Sequence, residues 1–200
     1  MKALILTGPG VTELREASIP ELSPGKALIK MKAASLNRRD EWIKEGKYPG
    51  IKYGVTLGSD GCGLVEKVFS EADQHWLGQE VVINPNIGWG PDPEVQSKSY
   101  TILGMPVDGT FAEYACVPVD RLQRRPVHLN ALQASTIPLG GLTAYRALFK
   151  RGNLKAGQNI LISGFGGGVA QFAFSFAQAA GANVYVSSGS DQKIEKALKM

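Results

Sequence analysis

The chain has 200 residues, with 22 Lys+Arg against 18 Asp+Glu for a formal charge of +4, and is 44% hydrophobic and 20% charged. That is enough apolar material to bury a core, which excludes wholesale disorder. The 2 cysteines, Cys62 and Cys116, exclude a disulfide-stapled secreted mini-domain and a four-thiolate zinc site.

The positive residues are scattered, with arginine doublets at Arg38-Arg39 and Arg124-Arg125, so the surface carries no specific nucleic-acid signal. At the N-terminus the apolar run Leu4-Ile5-Leu6 is too short for a signal peptide, and Pro9 ends it. It reads as a first strand, Ala3–Leu6. Further strands are expected at Lys26–Ala33, Gly63–Val68, Glu80–Ile83 and Phe111–Val117, each bounded by Gly, Pro or Asn. Between Ile83 and Asp108 lies a long Pro- and Gly-rich stretch, a functional or covering loop. The character changes near Pro126. Asn130 is expected to cap a helix through Ala131–Ala134, and a second helix, Leu142–Lys150, is expected after the Gly140-Gly141 break.

From Lys155 to Asp191 there is no intervening charge. A membrane helix is not the reading, because Gly164, Gly166, Gly167 and Gly168 interrupt the run and Gln171 and Gln178 dilute it. A buried βαβ unit explains it better: strand Asn159–Ser163, glycine turn, helix Val169–Ala180 stopped by Gly181, and strand Asn183–Ser187. Asp191 then caps a last helix. The chain is expected to be a soluble cytoplasmic protein with no membrane partner.

Ile160-Leu161-Ile162-Ser163-Gly164-Phe165-Gly166-Gly167-Gly168-Val169-Ala170 carries the strongest signal. A strand running into glycines that open a helix is the setting of a dinucleotide fingerprint. Glycines let the backbone turn and approach a pyrophosphate, whose charge the unpaired N–H groups of the helix start stabilise. Gly164, Gly166, Gly167, Gly168, Val169 and Ala170 are therefore cofactor-binding candidates, Ala170 as the small residue that lets helix and strand pack closely. The register is open, since Gly164-Phe165-Gly166 and Phe165-Gly166-Gly167 can each begin the fingerprint, and a purely structural glycine turn is the alternative. No acid stands at the end of the second strand to hold a ribose 2′-OH. Ser187, Ser188 and Ser190 stand there with Lys193, a set that can take a 2′-phosphate, so NADP(H) is the expected cofactor.

Gly58-Ser59-Asp60-Gly61-Cys62-Gly63, the block Asp108–Tyr114, Leu142-Thr143-Ala144-Tyr145 and the glycine turn, in that order, resemble the medium-chain dehydrogenase/reductase superfamily, the group of zinc-type alcohol dehydrogenases and quinone oxidoreductases. The resemblance covers essentially all of the chain. It implies an α/β protein with an N-terminal β domain: a GroES-like β-barrel, residues 1–125, followed by a partial doubly wound Rossmann sheet, residues 126–200. It further implies the quinone- or enoyl-reductase branch, whose members reduce quinones or conjugated double bonds with NADPH.

In zinc-dependent relatives a Cys stands where this chain has Asn37, and the Gly-His-Glu motif is here Gly58-Ser59-Asp60. The cysteine-bearing structural lobe would fall in Asn84–Leu103, which has none. No metal site is expected. Without zinc nothing acidifies a plain alcohol, so the small-molecule substrate is expected to be an enone, quinone or activated carbonyl aligned for hydride addition. Asn37, Tyr48 and Asp60 are the catalytic candidates beside Ser59. Tyr48 is either a proton donor or a loop residue packed beside Pro49. Asp60 is either a proton donor or a structural acceptor. Thr143 lies near the nicotinamide in the family, or else caps a helix start. Only two of about six parallel strands are present, so the chain is expected to be a truncated form with incomplete cofactor binding, and a homo-oligomer is left open for the full-length form. The rival reading is a non-catalytic product acting as a binding or regulatory protein.

Overall fold

The computed structural model describes residues Met1–Met200. The chain divides into two compact units, Met1–Leu139 and Gly140–Met200.

In the first unit β1 (Lys2–Gly8) turns through Gly10, which has a φ of +73°, into β2 (Val11–Glu16). There follow β3 (Lys26–Ser35), α1 (Arg38–Lys44), β4 (Val55–Thr56) and β5 (Asp60–Val68). A 3₁₀ turn leads to β6 (Glu80–Ile83), then come β7 (Asn86–Ile87), β8 (Thr101–Leu103), β9 (Pro106–Val107), β10 (Tyr114–Pro118), β11 (Leu122–Arg124) and the short helix α2 (Ala131–Ala134). Five strands form one sheet in the order β10-β3-β5-β6-β11, antiparallel throughout. Alternation along β3, β5, β6 and β10 places Ala27, Ile29, Val65, Val81, Ile83, Ala115 and Val117 in one core with Leu103 and Leu122. A second cluster, Leu6, Ile43, Leu57 and Met105, seats α1 against β1 and the segments after β4 and β8.

The closed barrel implied by the resemblance is not formed. The strands belong to three open sheets, the other two being β2-β1-β4 and β7-β8-β9. The reason lies in Phe111–Glu113, expected as the start of a strand that becomes regular only at Tyr114. Leu4 N donates to Phe111 O at 2.8 Å and Glu113 N to Lys2 O at 3.1 Å, while Met31 N donates to Glu113 O at 2.9 Å. The segment divides its backbone bonds between β1 and β3 and stitches two sheets without a continuous ladder to either.

The second unit contains most of α3 (Pro138–Tyr145), a π-helical turn Arg146–Arg151, β12 (Asn159–Ile162), α4 (Gly168–Ala179), β13 (Asn183–Val186) and α5 (Asp191–Leu198). The strands pair in parallel, Ile160 opposite Val184 and Ile162 opposite Val186, so α4 is the crossover of a βαβ unit. Its apolar face, Ala170, Ala173, Phe174 and Ala177, buries against Ile162, Phe165, Ala144 and Leu148. No helix is long and apolar enough to cross a membrane.

Three expectations change in detail. The second helix begins at Pro138, before the glycine pair, because proline suits a first helical position and Gly140 lies so close to the Phe172 ring that a Cβ would stand 3.2 Å from it. At the last helix the cap is Ser190, with Asp191 the first helical residue, where its carboxylate meets the positive helix end. The charged segment Arg38–Lys44 is a helix the periodicity did not announce.

One close backbone contact underlies the first unit. Gly58, Gly104 and Gly109 meet with no side chain between them. A Cβ on Gly104 would stand 2.6 Å from Gly58 O, and one on Gly109 would overlap Gly58 O and lie 2.7 Å from Gly104 Cα. All three glycines are buried. Gly109→Ala is expected to lower the unfolding free energy by about 3 kcal/mol or more, since only backbone could give way. Gly8→Ala, where a Cβ meets nothing within 4 Å, should change it by less than about 1 kcal/mol. Urea unfolding of both variants checks the contrast.

Candidate active site and nucleotide site

The first unit gathers a polar cluster around the start of α1. Asn37 occupies the N-cap position with extended backbone, and Asp40, three residues on, reaches back so that its Oδ2 accepts from Asn37 N at 2.7 Å. The Asn37 side chain donates from Nδ2 to Asp60 Oδ2 at 2.9 Å. The other Asp60 oxygen accepts from Leu139 N at 2.7 Å. Asp60 is fully buried at the first position of β5, and burial pushes its carboxyl up to about 6 against the pull of the Asn37 and Leu139 hydrogen bonds, with the nearby Asp40 adding to the rise. Burial also raises Asp40, opposed by the Asn37 N–H and the Arg39 charge. Its Oδ1 is buried with no hydrogen-bond partner.

Arg39, which the sequence reading passed over, is the centre of the cluster. Its Nε donates to Tyr48 Oη at 3.1 Å, Nη1 to Ser59 Oγ at 2.7 Å and to Leu103 O at 3.0 Å, and Nη2 to Met105 O at 2.7 Å. Its Cζ lies 4.8 Å from the Tyr48 ring centroid. Ser59 is buried and its hydroxyl donates to Leu103 O at 2.8 Å. Hydrogen bonds thus join Asn37 to Asp40 and Asp60 in one set and Arg39 to Tyr48 and Ser59 in another, and the Arg39 charge acts on Asp40 across the two. The signal in the sequence was the doublet itself: one arginine of an Arg-Arg pair at a helix start faces inward while Arg38 stays exposed.

These residues do not fit a zinc ion. Zinc needs Cys, His or carboxylate ligands at tetrahedral positions. Asn37 offers an amide already bonded to Asp60, and the Ser59 oxygen is held by a guanidinium. No three His, Cys, Asp or Glu side chains come together as ligands. In the segment between β7 and β8 the chain is held by other means. Trp89 packs edge-on against Tyr100 at 5.1 Å, the Ser97 hydroxyl donates to Gly88 O at 2.7 Å, and Gly90 lies so near Ser97 Cβ that an added methyl would stand 2.8 Å away.

In the second unit Gly164 and Gly166 have φ of +67° and +112°, the left-handed values that L side chains avoid. Gly167 is the N-cap of α4, and Gly168, Val169 and Ala170 are its first helical residues, whose N–H groups have no partner within the helix. Gly164, Gly167, Gly168 and Val169 are exposed while Ala170 is buried against the strands. Phe165 N donates to Ser187 O at 2.9 Å, so the glycine turn and the serine segment after β13 are neighbours. Lys193, on the first turn of α5, lies across Gly166: a Cβ there would stand 2.7 Å from its Cδ and 3.2 Å from its Nζ. Ser187 is exposed, and Ser188 and Ser190 are half-buried, with Ser190 N donating to Ser188 Oγ at 3.3 Å. A glycine turn at a helix start, with hydroxyls and a lysine beside it, fits the phosphates of a dinucleotide. Thr143 sits exposed in the interior of α3 rather than at a helix start.

The raised carboxyl of Asp60 makes stability depend on pH. A group held at about 6 when folded and near 3.9 when unfolded keeps its full stabilisation below the unfolded value and loses it as pH rises through 6. The expected loss between pH 4 and pH 7 is roughly 2–3 kcal/mol. Asp60→Asn should remove this part of the pH dependence, so the stability difference between parent and variant shifts by that amount over the interval. Urea unfolding at pH 4 and pH 7 measures it, and an unchanged difference would show that Asp60 titrates elsewhere.

Residues 23–127 match the alcohol dehydrogenase GroES-like domain. A zinc-type alcohol dehydrogenase-like protein, YogA, of Leptosphaeria maculans is 38% identical over 198 residues, covering 94% of this chain and 55% of that protein. The crotonyl-CoA carboxylase/reductase of Cereibacter sphaeroides is 32% identical over 185 residues, covering 86% of this chain and 43% of its own. The crystal structure of an NAD-dependent alcohol dehydrogenase superposes with a TM-score of 0.88 at 32% identity, covering 100% of this chain and 61% of the other. The chain thus spans about half the length of the curated relatives it matches. The matched segment holds α1, β5 and every residue of the Arg39 cluster except Leu139, and it makes the chain a member of the alcohol dehydrogenase GroES-like family, within the medium-chain dehydrogenase/reductase superfamily.

Proposed function

We propose that this protein is an NADPH-dependent oxidoreductase that delivers hydride, without zinc, to an enone, quinone or otherwise activated carbonyl. In this reading the first unit is the GroES-like catalytic domain and the second is the start of a Rossmann domain. The observation that carries it is Lys193 lying across Gly166, with Ser187, Ser188 and Ser190 beside the turn and no carboxylate at the end of β13. The crotonyl-CoA reductase kinship and the lack of a ligand set for zinc support an intrinsically electrophilic substrate.

When bound, NADPH supplies the hydride, two electrons and a proton, to the electrophilic carbon. The electron pair of the conjugated double bond moves to the substrate oxygen, and a proton must follow. Tyr48 is the proposed donor. An arginine only donates, so the Tyr48 oxygen bonded to Arg39 acts there as acceptor and keeps its own O–H for the substrate. The proton it gives up is replaced from solvent. Asn37 is placed beside this donor in the reading, with Asp60 fixing its amide. Both Asp60 oxygens already accept hydrogen bonds, which makes it a positioning group here. Thr143, Gly164, Gly166, Gly167, Gly168, Val169 and Ala170 are proposed to line the cofactor, and Ser187, Ser188, Ser190 and Lys193 to hold its 2′-phosphate.

A charge-assisted bond from Lys193 to that phosphate corresponds to about 1.5–3 kcal/mol, roughly tenfold or more in affinity. NADPH is therefore expected to bind at least about tenfold more tightly than NADH, and Lys193→Ala to lose that preference while leaving NADH affinity within about twofold. Titration by nicotinamide fluorescence decides it, together with NADPH oxidation against enones, quinones and aldehydes. Equal affinity for both cofactors in the parent overturns the assignment.

A further inference from the structure

Arg39 stands two residues after Asn37, and its guanidinium lies directly on Ser59, Nη1 to Oγ at 2.7 Å. Asn37 and Ser59 are the two positions at which the family resemblance places metal ligands. The same guanidinium donates to Tyr48 Oη, Leu103 O and Met105 O. It therefore uses four of its five N–H groups on acceptors from three separate segments of chain. Held in that way it cannot swing aside as a solvated arginine does. It also cannot be neutralised, because an arginine keeps its proton in proteins. A divalent ion placed at Ser59 would meet a fixed positive charge in a half-buried setting, where repulsion is screened far less than in water. It would also have to break the Arg39–Ser59 bond before gaining a ligand.

We propose that Arg39 is the resident cation of this cluster: it takes the electrostatic place of a metal ion at the two positions where the resemblance places ligands and bars one from binding. It is a positioning residue, since through Nε it also holds Tyr48 in place. This deepens the zinc-independent part of the functional reading and rests on the same alignment of Asn37 and Ser59. Its test reads metal binding alone, so a failure of hydride transfer or of NADPH preference would leave the result standing.

The probe is Co²⁺, whose visible absorption reports tetrahedral thiolate and imidazole ligation, titrated into the full chain. Asn37→Cys/Ser59→His restores the ligand types with Arg39 retained. Adding Arg39→Gln to that pair removes the charge at similar length, and adding Arg39→Lys keeps it. Parent, double variant and the Lys triple are expected to show no saturable cobalt band. The Gln triple is expected to take about one Co²⁺ per chain, with an affinity at least about a hundredfold above that of the double variant. Circular dichroism establishes that each is folded, and Arg39→Ser in the same background replaces the Gln form if that form fails to fold. Equal cobalt affinity with and without the Arg39 charge overturns the proposal, and so does a folded, charge-free triple that takes no cobalt.

Discussion

The guanidinium of Arg39 reaches the carbonyls of Leu103 and Met105 at 3.0 and 2.7 Å, and those two carbonyls flank Gly104, whose backbone lies against Gly58 with no room for a side chain. The charge cluster and the glycine junction are therefore one construction. Close approach of the segment after β8 to the segment before β5 brings two carbonyl oxygens to one point, and only a planar donor with a fixed fork can satisfy both while reaching Ser59 and Tyr48. A lysine has the charge but presents three donors from a single nitrogen. Gly109 completes the junction by donating to Thr56 O at 2.8 Å, and Asp108 beside it accepts from Thr56 N at 2.8 Å. The segment that carries the site is thereby fixed along its backbone before any side chain is considered.

Around this cation the acids are handled unequally, and hydrogen bonding decides how. Asp60 has both oxygens bonded, to Asn37 and Leu139, yet burial still lifts it to about 6. Neutral donors stabilise a carboxylate less than water does when the group is fully enclosed. Asp40 feels the Arg39 charge and is still raised, because burial outweighs that charge and the single bond from Asn37 N, and its other oxygen has no hydrogen-bond partner. Had Arg39 paired directly with either carboxylate, that acid would fall below its ordinary value and the cation would be neutralised. Its bonds go instead to carbonyls and hydroxyls, which leave its positive charge uncompensated at the site.

The second unit was the more legible in the sequence. A charge-free run broken by glycines and bounded by Lys155 and Asp191 gave the strand, turn, helix and strand within a residue or so of their places, because a parallel pair flanking its crossover helix is specified locally and buried on that side. The first unit was less so, for reasons that particular residues make plain. Val11–Glu16 alternates weakly and lies at a sheet edge, with Val11 and Leu14 exposed, so period and burial disagree. Arg38–Lys44 forms a helix from a mostly charged segment, held by Ile43 alone in the core. The role of Arg39 depends on residues 9 to 66 positions away along the chain, and no local pattern encodes partners at that separation. Family motifs pointed to Asn37 and Asp60 as candidates, while nothing local pointed to the arginine that links Tyr48 to Ser59.

The two units treat positive charge in opposite ways, and the difference follows from what each side chain is bonded to. Arg39 has its donors taken up by the protein, so its geometry is set in advance and it can act by field and by exclusion with little reorganisation. Lys193 is exposed on the first turn of α5, with its aliphatic arm lying across a glycine that offers only backbone. No hydrogen bond to the protein anchors it, so its ammonium remains free to move toward an anion, at the cost of the rotamer entropy that binding would remove. A preset cation suits a site where charge must be in place before a substrate arrives. A mobile one suits the proposed selection of a cofactor by a phosphate group that only one of two carries. Gly166 is the condition for the second arrangement, since a Cβ at that position would collide with the lysine arm and displace the charge from the turn.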